Sequence, residues 1–174
     1  MGRSEQGVEA STGRHTVIPR VLVFVLNGDD VLLLKGAPDK RIWADRYNGI
    51  GGHVEPDEDV YTAALRETRE ETGLEVPNLR FEGLVNIDVG SPTGIMLAVF
   101  SAHSETRETI PSAEGALEWV PLDRLDEVDL VQDIPVLLSR IIDRPAGARP
   151  FFARYWYAGE CAAEQLQIDF ARST

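Results

Sequence analysis

The hydrophobic and polar positions of this chain change period several times, and each change marks an element. Thr16 to Val25 is rich in Val and Ile and predicts a strand. Asn27-Gly28-Asp29-Asp30 follows as a hairpin turn, because Asn-Gly supplies the positive φ angles of a type I′ turn. Val31 to Leu34 returns as the second strand, and Gly36 to Asp45 reads as a charged loop. Three glycines lie within Asn48 to Gly52, so the backbone there turns sharply or approaches something closely. Val60 to Thr72 has helical spacing, with Asp59 as N-cap and Gly73 in the position that stops a helix. Arg80 to Val89 and Gly94 to Ala102 alternate as strands around the turn Gly90-Ser91-Pro92-Thr93. Leu117 to Val120 is a short strand and Asp133 to Ile142 a second helix. Phe151 to Tyr157 and Gln165 to Phe170 form a last hairpin. Strands before and after two helices predict one α+β domain with helices packed on a sheet.

Length agrees with one domain, since 174 residues are close to the usual domain size. Residues 1–15 are polar and aperiodic and read as an N-terminal arm, and 16–174 as the domain. The arm has no apolar stretch of the kind a secretory signal needs. The longest apolar run, Val21 to Leu26, is too short to cross a bilayer, so no membrane partner is expected. The lone Cys161 excludes an intrachain disulfide framework, and a cytoplasmic location is expected. The net charge of -12 repels polyanions, and no basic stripe offers a nucleic acid polymer a track. A phosphate-bearing small molecule remains compatible if a divalent cation bridges the two negative partners.

The acids are concentrated on the first helix. At about 100° per residue, Glu67, Glu70 and Glu71 share the face that begins with Val60, Ala63 and Ala64. Small apolar residues on a helix face mark packing against the protein body, so the carboxylates face the body or a cleft in it. In such a cleft, at an effective dielectric constant near 20 and ~6 Å, each like-charge pair costs roughly 2–3 kcal/mol. A divalent cation offsets that repulsion, and hard oxygen ligands suit Mg²⁺ or Mn²⁺. Arg66 and Arg69 flank the cluster.

The spacing around these acids resembles the signature of Nudix hydrolases. Gly52 is followed by five residues and Glu58, then by seven residues and Arg66-Glu67-Thr68-Arg69-Glu70-Glu71-Thr72-Gly73-Leu74. Every charged and glycine position of the Nudix box is present, and Thr68 stands at a position the family keeps apolar. The resemblance implies an α/β/α sandwich with a mixed sheet, and Mg²⁺-dependent hydrolysis of a nucleoside diphosphate linked to another group. It implies that Glu67, Glu70, Glu71 and the Gly51 carbonyl hold the metal. Gly52, Glu58, Arg66 and Gly73 then support the box, with Glu58 and Arg66 as a structural pair. Family members often add a downstream acid, and Glu114 sits where it would come. Whether Glu114 or a box glutamate takes the water proton stays open. His53, beside the box, reads as a surface or orienting residue.

Tyr47-Asn48-Gly49-Ile50-Gly51-Gly52 resembles the stretch found in enzymes that cleave oxidised purine nucleoside triphosphates, where the Asn contacts the base. An amide offers donor and acceptor together to a purine edge. The same group carries an acidic base reader before its last helix, where Asp133 stands here. It also has an aromatic beside that acid, whereas Val131 and Gln132 precede Asp133. Lys35 ends the second strand within reach of a phosphate. The expected activity is cleavage of a purine (d)NTP, oxidised purines such as 8-oxo-dGTP included, to the monophosphate and pyrophosphate. The alternatives are hydrolysis of ADP-ribose or dinucleoside polyphosphates, and a noncatalytic nucleotide sensor. A monomer and a homodimer are both compatible with the sequence.

Overall fold

The computed structural model describes residues 14–40, 42–142, 144–145, 147–159 and 165–172. The polar arm expected over residues 1–15 lies outside this set apart from Arg14 and His15, and so does Cys161. The strands are β1 (Thr16–Asn27), β2 (Asp30–Gly36), β3 (Tyr47–Asn48), β4 (Arg80–Asp88), β5 (Thr93–His103), β6 (Gly115–Pro121), β7 (Phe151–Ala158) and β8 (Gln165–Phe170). The helices are α1 (Val60–Thr72) and α2 (Ile134–Ile142), and a short 3₁₀ segment spans Leu122–Glu127. The strands form one mixed sheet in the order β3-β2-β1-β5-β4-β7-β8, with β6 on the other edge of β2. The α+β sandwich expected from the sequence is the fold observed.

Six successive residues of β1, Val21 to Leu26, are buried. Leu22, Phe24 and Leu26 pack with Ile134, Leu137, Leu138 and Ile141 of α2. Val21, Val23 and Val25 pack with Ala63 and Ala64 of α1 and with Leu74 and Val76 beyond it. Helices on both sides of one strand explain why that strand reads as an unbroken apolar run, not as an alternation.

The turn between β1 and β2 differs from expectation. Gly28 has φ +60°, but Asp29 has no positive φ, so the turn is not type I′. A glycine at the first central position is the type II′ arrangement, which suits the same strand twist. The hairpin pairs only at Val25–Leu32, Leu26–Val31 and Asn27–Asp30. Beyond that the two strands part, and the segment 47–53 enters the gap. Tyr47 and Asn48 pair with Lys35 and Leu34 of β2, while Ile50 and His53 bridge to Val23 and Arg20 of β1.

Two parallel pairings carry the rest of the sheet, β1 with β5 and β4 with β7. The second is pinned by an ion pair. A bulge between Phe81 and Gly83 turns Glu82 inward, where it is fully buried. Ser101 and Arg144 both donate to its carboxylate, and Arg144 also donates to the Glu82 carbonyl at 3.1 Å. The chain leaving α2 is thereby tied to β4 just before β7 begins.

Candidate active site

The site is organised by the glycines that fill the split hairpin. Gly51 has φ +155°, and a Cβ there would lie 2.1 Å from the Val21 carbonyl oxygen. A Cβ on Gly52 would lie 2.4 Å from Oε1 of Glu67. At Gly51 the backbone of β1 excludes any side chain, and at Gly52 a side chain would displace the Glu67 carboxylate from its place beside the loop. Ile50 is bonded to Val23 in both directions, at 2.7 and 3.1 Å. The Gly51 N–H instead donates to Oε2 of Glu71 at 3.2 Å, so this peptide faces the helix acids.

α1 presents those acids in the expected register. Asp59 accepts from the N–H groups of Tyr61 and Thr62 at 2.8 and 3.0 Å, and Gly73 ends the helix at φ +74°. Its buried residues are Ala63, Ala64, Thr68 and Thr72. Thr68, at the position the Nudix box keeps apolar, is fully buried and donates its hydroxyl to the Ala64 carbonyl at 2.7 Å. That internal bond lets a polar residue fill an apolar site.

The three box carboxylates are not equivalent. Glu67 and Glu71 line a cleft of about 620 Å³ together with Gly51, Gly52 and His53. Glu70 does not; its side chain is 60% exposed and pairs with Arg66 at 3.1 Å. It lies about 100° around the helix from Glu71, which is enough to bring it to the rim. Arg66 holds three acids at once: Glu58 at 2.7 Å, Glu67 at 2.9 Å and Glu70. It also donates to the His53 carbonyl at 3.0 Å, tying the loop to the helix. These bonds hold the Glu58 carboxyl below the usual glutamate range and raise Arg66 further above neutrality. The Glu58–Arg66 pair expected from the sequence is present.

Among the described residues Glu71 has no comparable cation. Burial pushes its pKa up to about 7, and the nearby charges of Glu67 and Glu114 add to the rise, against the Gly51 N–H and Lys40. Glu114 comes from the turn before β6, and its carboxylate pairs with the ammonium of Lys40; both line the cleft.

The far side of the cleft is built from the sheet. Arg20 and Leu22 of β1, Ile87 of β4, Ile95 and Leu97 of β5, and Tyr155 of β7 all line it. The register places Arg20 beside Leu97, and Ile87 beside both Ile95 and Tyr155, so these residues share one face. Val131, Gln132 and Asp133 close this side from the start of α2. Asn48 also lines the cleft, and its side-chain oxygen accepts from the Gly49 N–H at 2.8 Å. Burial raises the carboxyl of Asp133 above its ordinary range.

Of the residues the sequence singles out, Gly51, Gly52, Asn48, Glu67, Glu71, Glu114 and Asp133 come together in this cleft. Lys35 does not line it; its ammonium lies 5.6 Å from the ring centroid of Tyr47. The adjacent strand end turns Lys35 toward the α2 side, where Tyr47 is part of the core. Lys40 is the lysine in the cleft, and sequence offered no signal to choose it from a charged loop. Tyr155 and Tyr157 supply the aromatic surface near Asp133 that residues 131 and 132 lack. Their spacing of two along a predicted strand was the available signal for a shared face. The mouth carries Ile42 and Trp43, exposed apolar residues, and Trp43 and Asp45 hold φ of +62° and +59°.

A family model described as NUDIX domain matches residues 16–140. An oxidized purine nucleoside triphosphate hydrolase from Mus musculus is 36% identical over 124 residues, covering 68% of this chain and 78% of the relative. A NAD-capped RNA hydrolase, NudC, from Pseudomonas aeruginosa is 33% identical over 133 residues, 75% of this chain but 46% of the relative. The chain thus spans under half the length of that second protein. A mutator MutT protein from Bacillus halodurans superposes with a TM-score of 0.71 at 23% identity, over 87% of this chain and 97% of its own. At that identity the likeness concerns the fold.

Proposed function

Because this chain belongs to the Nudix family and is a Nudix-type hydrolase, we propose that it cleaves purine nucleoside triphosphates, oxidised purines included, to the monophosphate and pyrophosphate. The observation that carries this reading is one continuous cleft with two chemically different ends. Acids and a glycine peptide stand at one end, and Asn48, Asp133 and aromatic side chains at the other. A nucleotide has the matching polarity, with a polyanion at one end and a planar hydrogen-bonding base at the other. The 36% identity to the mouse hydrolase supports the same choice.

Nudix hydrolases use divalent metal ions, and the donors here fit one. All are hard oxygens, and the carboxyl of Glu71 is raised by burial and by its acidic neighbours, with Lys40 opposing the rise only in part. Among the described residues no three acids are already gathered around one point, because Glu70 is engaged by Arg66. In this reading Glu67, Glu71 and the Gly51 carbonyl hold Mg²⁺, and Mn²⁺ substitutes for it. Glu70, paired with Arg66 at the rim, would be a further ligand. The bound ion supplies charge neutralisation at the nonbridging oxygens of the diphosphate. Glu114 takes up the proton of the attacking water, Lys40 turns from it to a phosphate, and Arg66 and Glu58 keep the loop fixed on α1. The amide nitrogen of Asn48, which has no bond among the described residues, and the carboxyl of Asp133 contact the base.

The 33% identity to a NAD-capped RNA hydrolase favours a second reading, in which the substrate is a nucleoside diphosphate joined to another nucleotide or sugar. The two separate by product analysis. Purified protein with Mg²⁺ is given dGTP, 8-oxo-dGTP, dCTP, ADP-ribose and NAD, and the products are resolved by chromatography. The expected products are purine monophosphate and pyrophosphate, lost in EDTA and restored by Mg²⁺. Cleavage of ADP-ribose or NAD with all triphosphates left intact would overturn the triphosphate reading. Turnover that persists in EDTA would overturn the metal role.

A further inference from the structure

The sheet side of the cleft contains polar groups that the fold itself leaves unused. Tyr155 is 1% exposed, yet its hydroxyl has no hydrogen-bond partner among the described residues. It lines the cleft, and its register neighbours are Ile87 of β4 and Ile168 of β8. On the same face, Nε of Arg20 is buried and likewise unpartnered among the described residues. Buried polar groups are nearly always bonded, because an unmade bond leaves the desolvation of the group uncompensated. The contrast with Glu82 is direct. That buried carboxyl is met by Ser101 and Arg144, so its polarity is spent inside the fold.

We propose that the Tyr155 hydroxyl is a specificity determinant that reads the nucleobase, donating to an acceptor on the base edge while Asp133 accepts from a neighbouring N–H of the same edge. The inference rests on the reading of the cleft as a nucleotide site, and it adds a residue and a direction of bonding to it. Three observations carry it. Tyr155 lines the cleft, and its hydroxyl is buried with no partner among the described residues. Burial first, and then the nearby charge of Asp133, oppose ionisation of the phenol, against Arg140, so Asp133 lies close to the same side chain. The neighbours of Tyr155 in the register, Ile87 of β4 and Ile168 of β8, are apolar side chains. A flat base laid on that apolar face brings its polar edge to the two groups. Guanine, adenine and their oxidised forms all carry an N–H next to a carbonyl oxygen or ring nitrogen, and ribose phosphate alone carries no such edge.

The test is equilibrium binding, which is independent of turnover. Wild-type protein and Tyr155→Phe are titrated with dGMP, AMP and ribose 5-phosphate by calorimetry, and the melting temperature of each free protein is measured. Phenylalanine keeps the ring and removes only the hydroxyl. The expected loss of affinity for dGMP or AMP is about 5- to 150-fold, the range for one hydrogen bond at a buried recognition site. Ribose 5-phosphate should bind both proteins alike. The free variant should melt at the wild-type temperature or above it, because an unsatisfied buried group has been removed. Equal affinity of the two proteins for the monophosphates overturns the inference. So does a variant that melts several degrees lower, which would mean the hydroxyl serves the fold, and so does a wild type that binds monophosphates no better than ribose 5-phosphate. None of these results bears on whether triphosphates or ADP-ribose are cleaved, which the product analysis decides.

Discussion

The two ends of the cleft are made in opposite ways. The acidic end comes mostly from a short stretch of chain, Gly51 to Gly73, in which Arg66 binds three carboxylates and a carbonyl, with Lys40 and Glu114 added from two loops. The sheet end gathers side chains from β1, β4, β5 and β7 and from the start of α2. At the first end charge is balanced internally, except at Glu71. At the second, hydrogen-bonding groups are left open on an apolar floor. The difference teaches where specificity can reside. An end that satisfies its own bonds gives a constant chemistry, and an end with unused donors and acceptors can distinguish ligands.

The largest expected effect lies at the acidic end. Glu114→Gln should lower kcat by about 10²–10⁴-fold, the range for a lost general base. Its folding should be nearly unchanged, since its exposed pair with Lys40 is worth about 0–1 kcal/mol. Chemical denaturation and steady-state kinetics on one preparation check both statements, and near wild-type kcat would move the base role to α1.

Glu71→Gln should lower kcat by about 10²-fold or more and reverse sign in stability. The folded-state carboxyl, pushed up to about 7 from an ordinary 4.5, binds a proton that the unfolded chain releases. Its contribution is therefore whole below about pH 4.5 and lost as the pH rises through 7. In EDTA at pH 8 the variant should be more stable than wild type by up to roughly 3 kcal/mol, with the gap closing toward pH 4.5. Melting curves across that range are the measurement. A variant less stable at pH 8 would contradict the uncompensated charge.

At the sheet end the effects are smaller and ligand-dependent. Asn48→Asp keeps the acceptor for the Gly49 N–H and removes the amide donor. It should cost about 5- to 150-fold in kcat/KM for a purine triphosphate and much less for dCTP. Equal losses on both would make Asn48 a turn residue only. The smallest effect is expected at Lys35. Lys35→Ala, outside the cleft, should alter binding by no more than about 0.5 kcal/mol, whereas Lys40→Ala should raise KM for every triphosphate alike. Parallel kinetics of the two variants check this, and the reverse ranking would move the phosphate contact to β2.

The legibility of the molecule follows the same division. α1, its Asp59 cap and its Gly73 stop were readable because each depends on residues within a few positions. The Nudix box was readable because its fixed gaps are helix turns and one loop closure. The type of the Gly28 turn was not, since Asn-Gly is compatible with more than one twist-matched turn and the flanking strands choose. Nor was β3, only Tyr47 and Asn48, which is a strand solely because β1 and β2 part and leave room. Glu70 illustrates the limit within a single helix. Periodicity grouped it with Glu67 and Glu71, but which edge of the acidic face meets the cleft depends on how α1 is rolled against β1.

By itself the sequence determined the fold class, the helix that carries the acids and the glycines that let it approach β1. These are properties of local spacing, backbone sterics and charge. Long-range packing set which lysine faces the cleft, that Tyr155 lies near Asp133, and that Glu82 is satisfied while the Tyr155 hydroxyl has no partner among the described residues. Those outcomes depend on the parallel pairings β1–β5 and β4–β7, which join residues tens of positions apart. No local pattern encodes such a register. It follows from burying both faces of one sheet at once, and the cleft is formed where the helices leave part of a face uncovered.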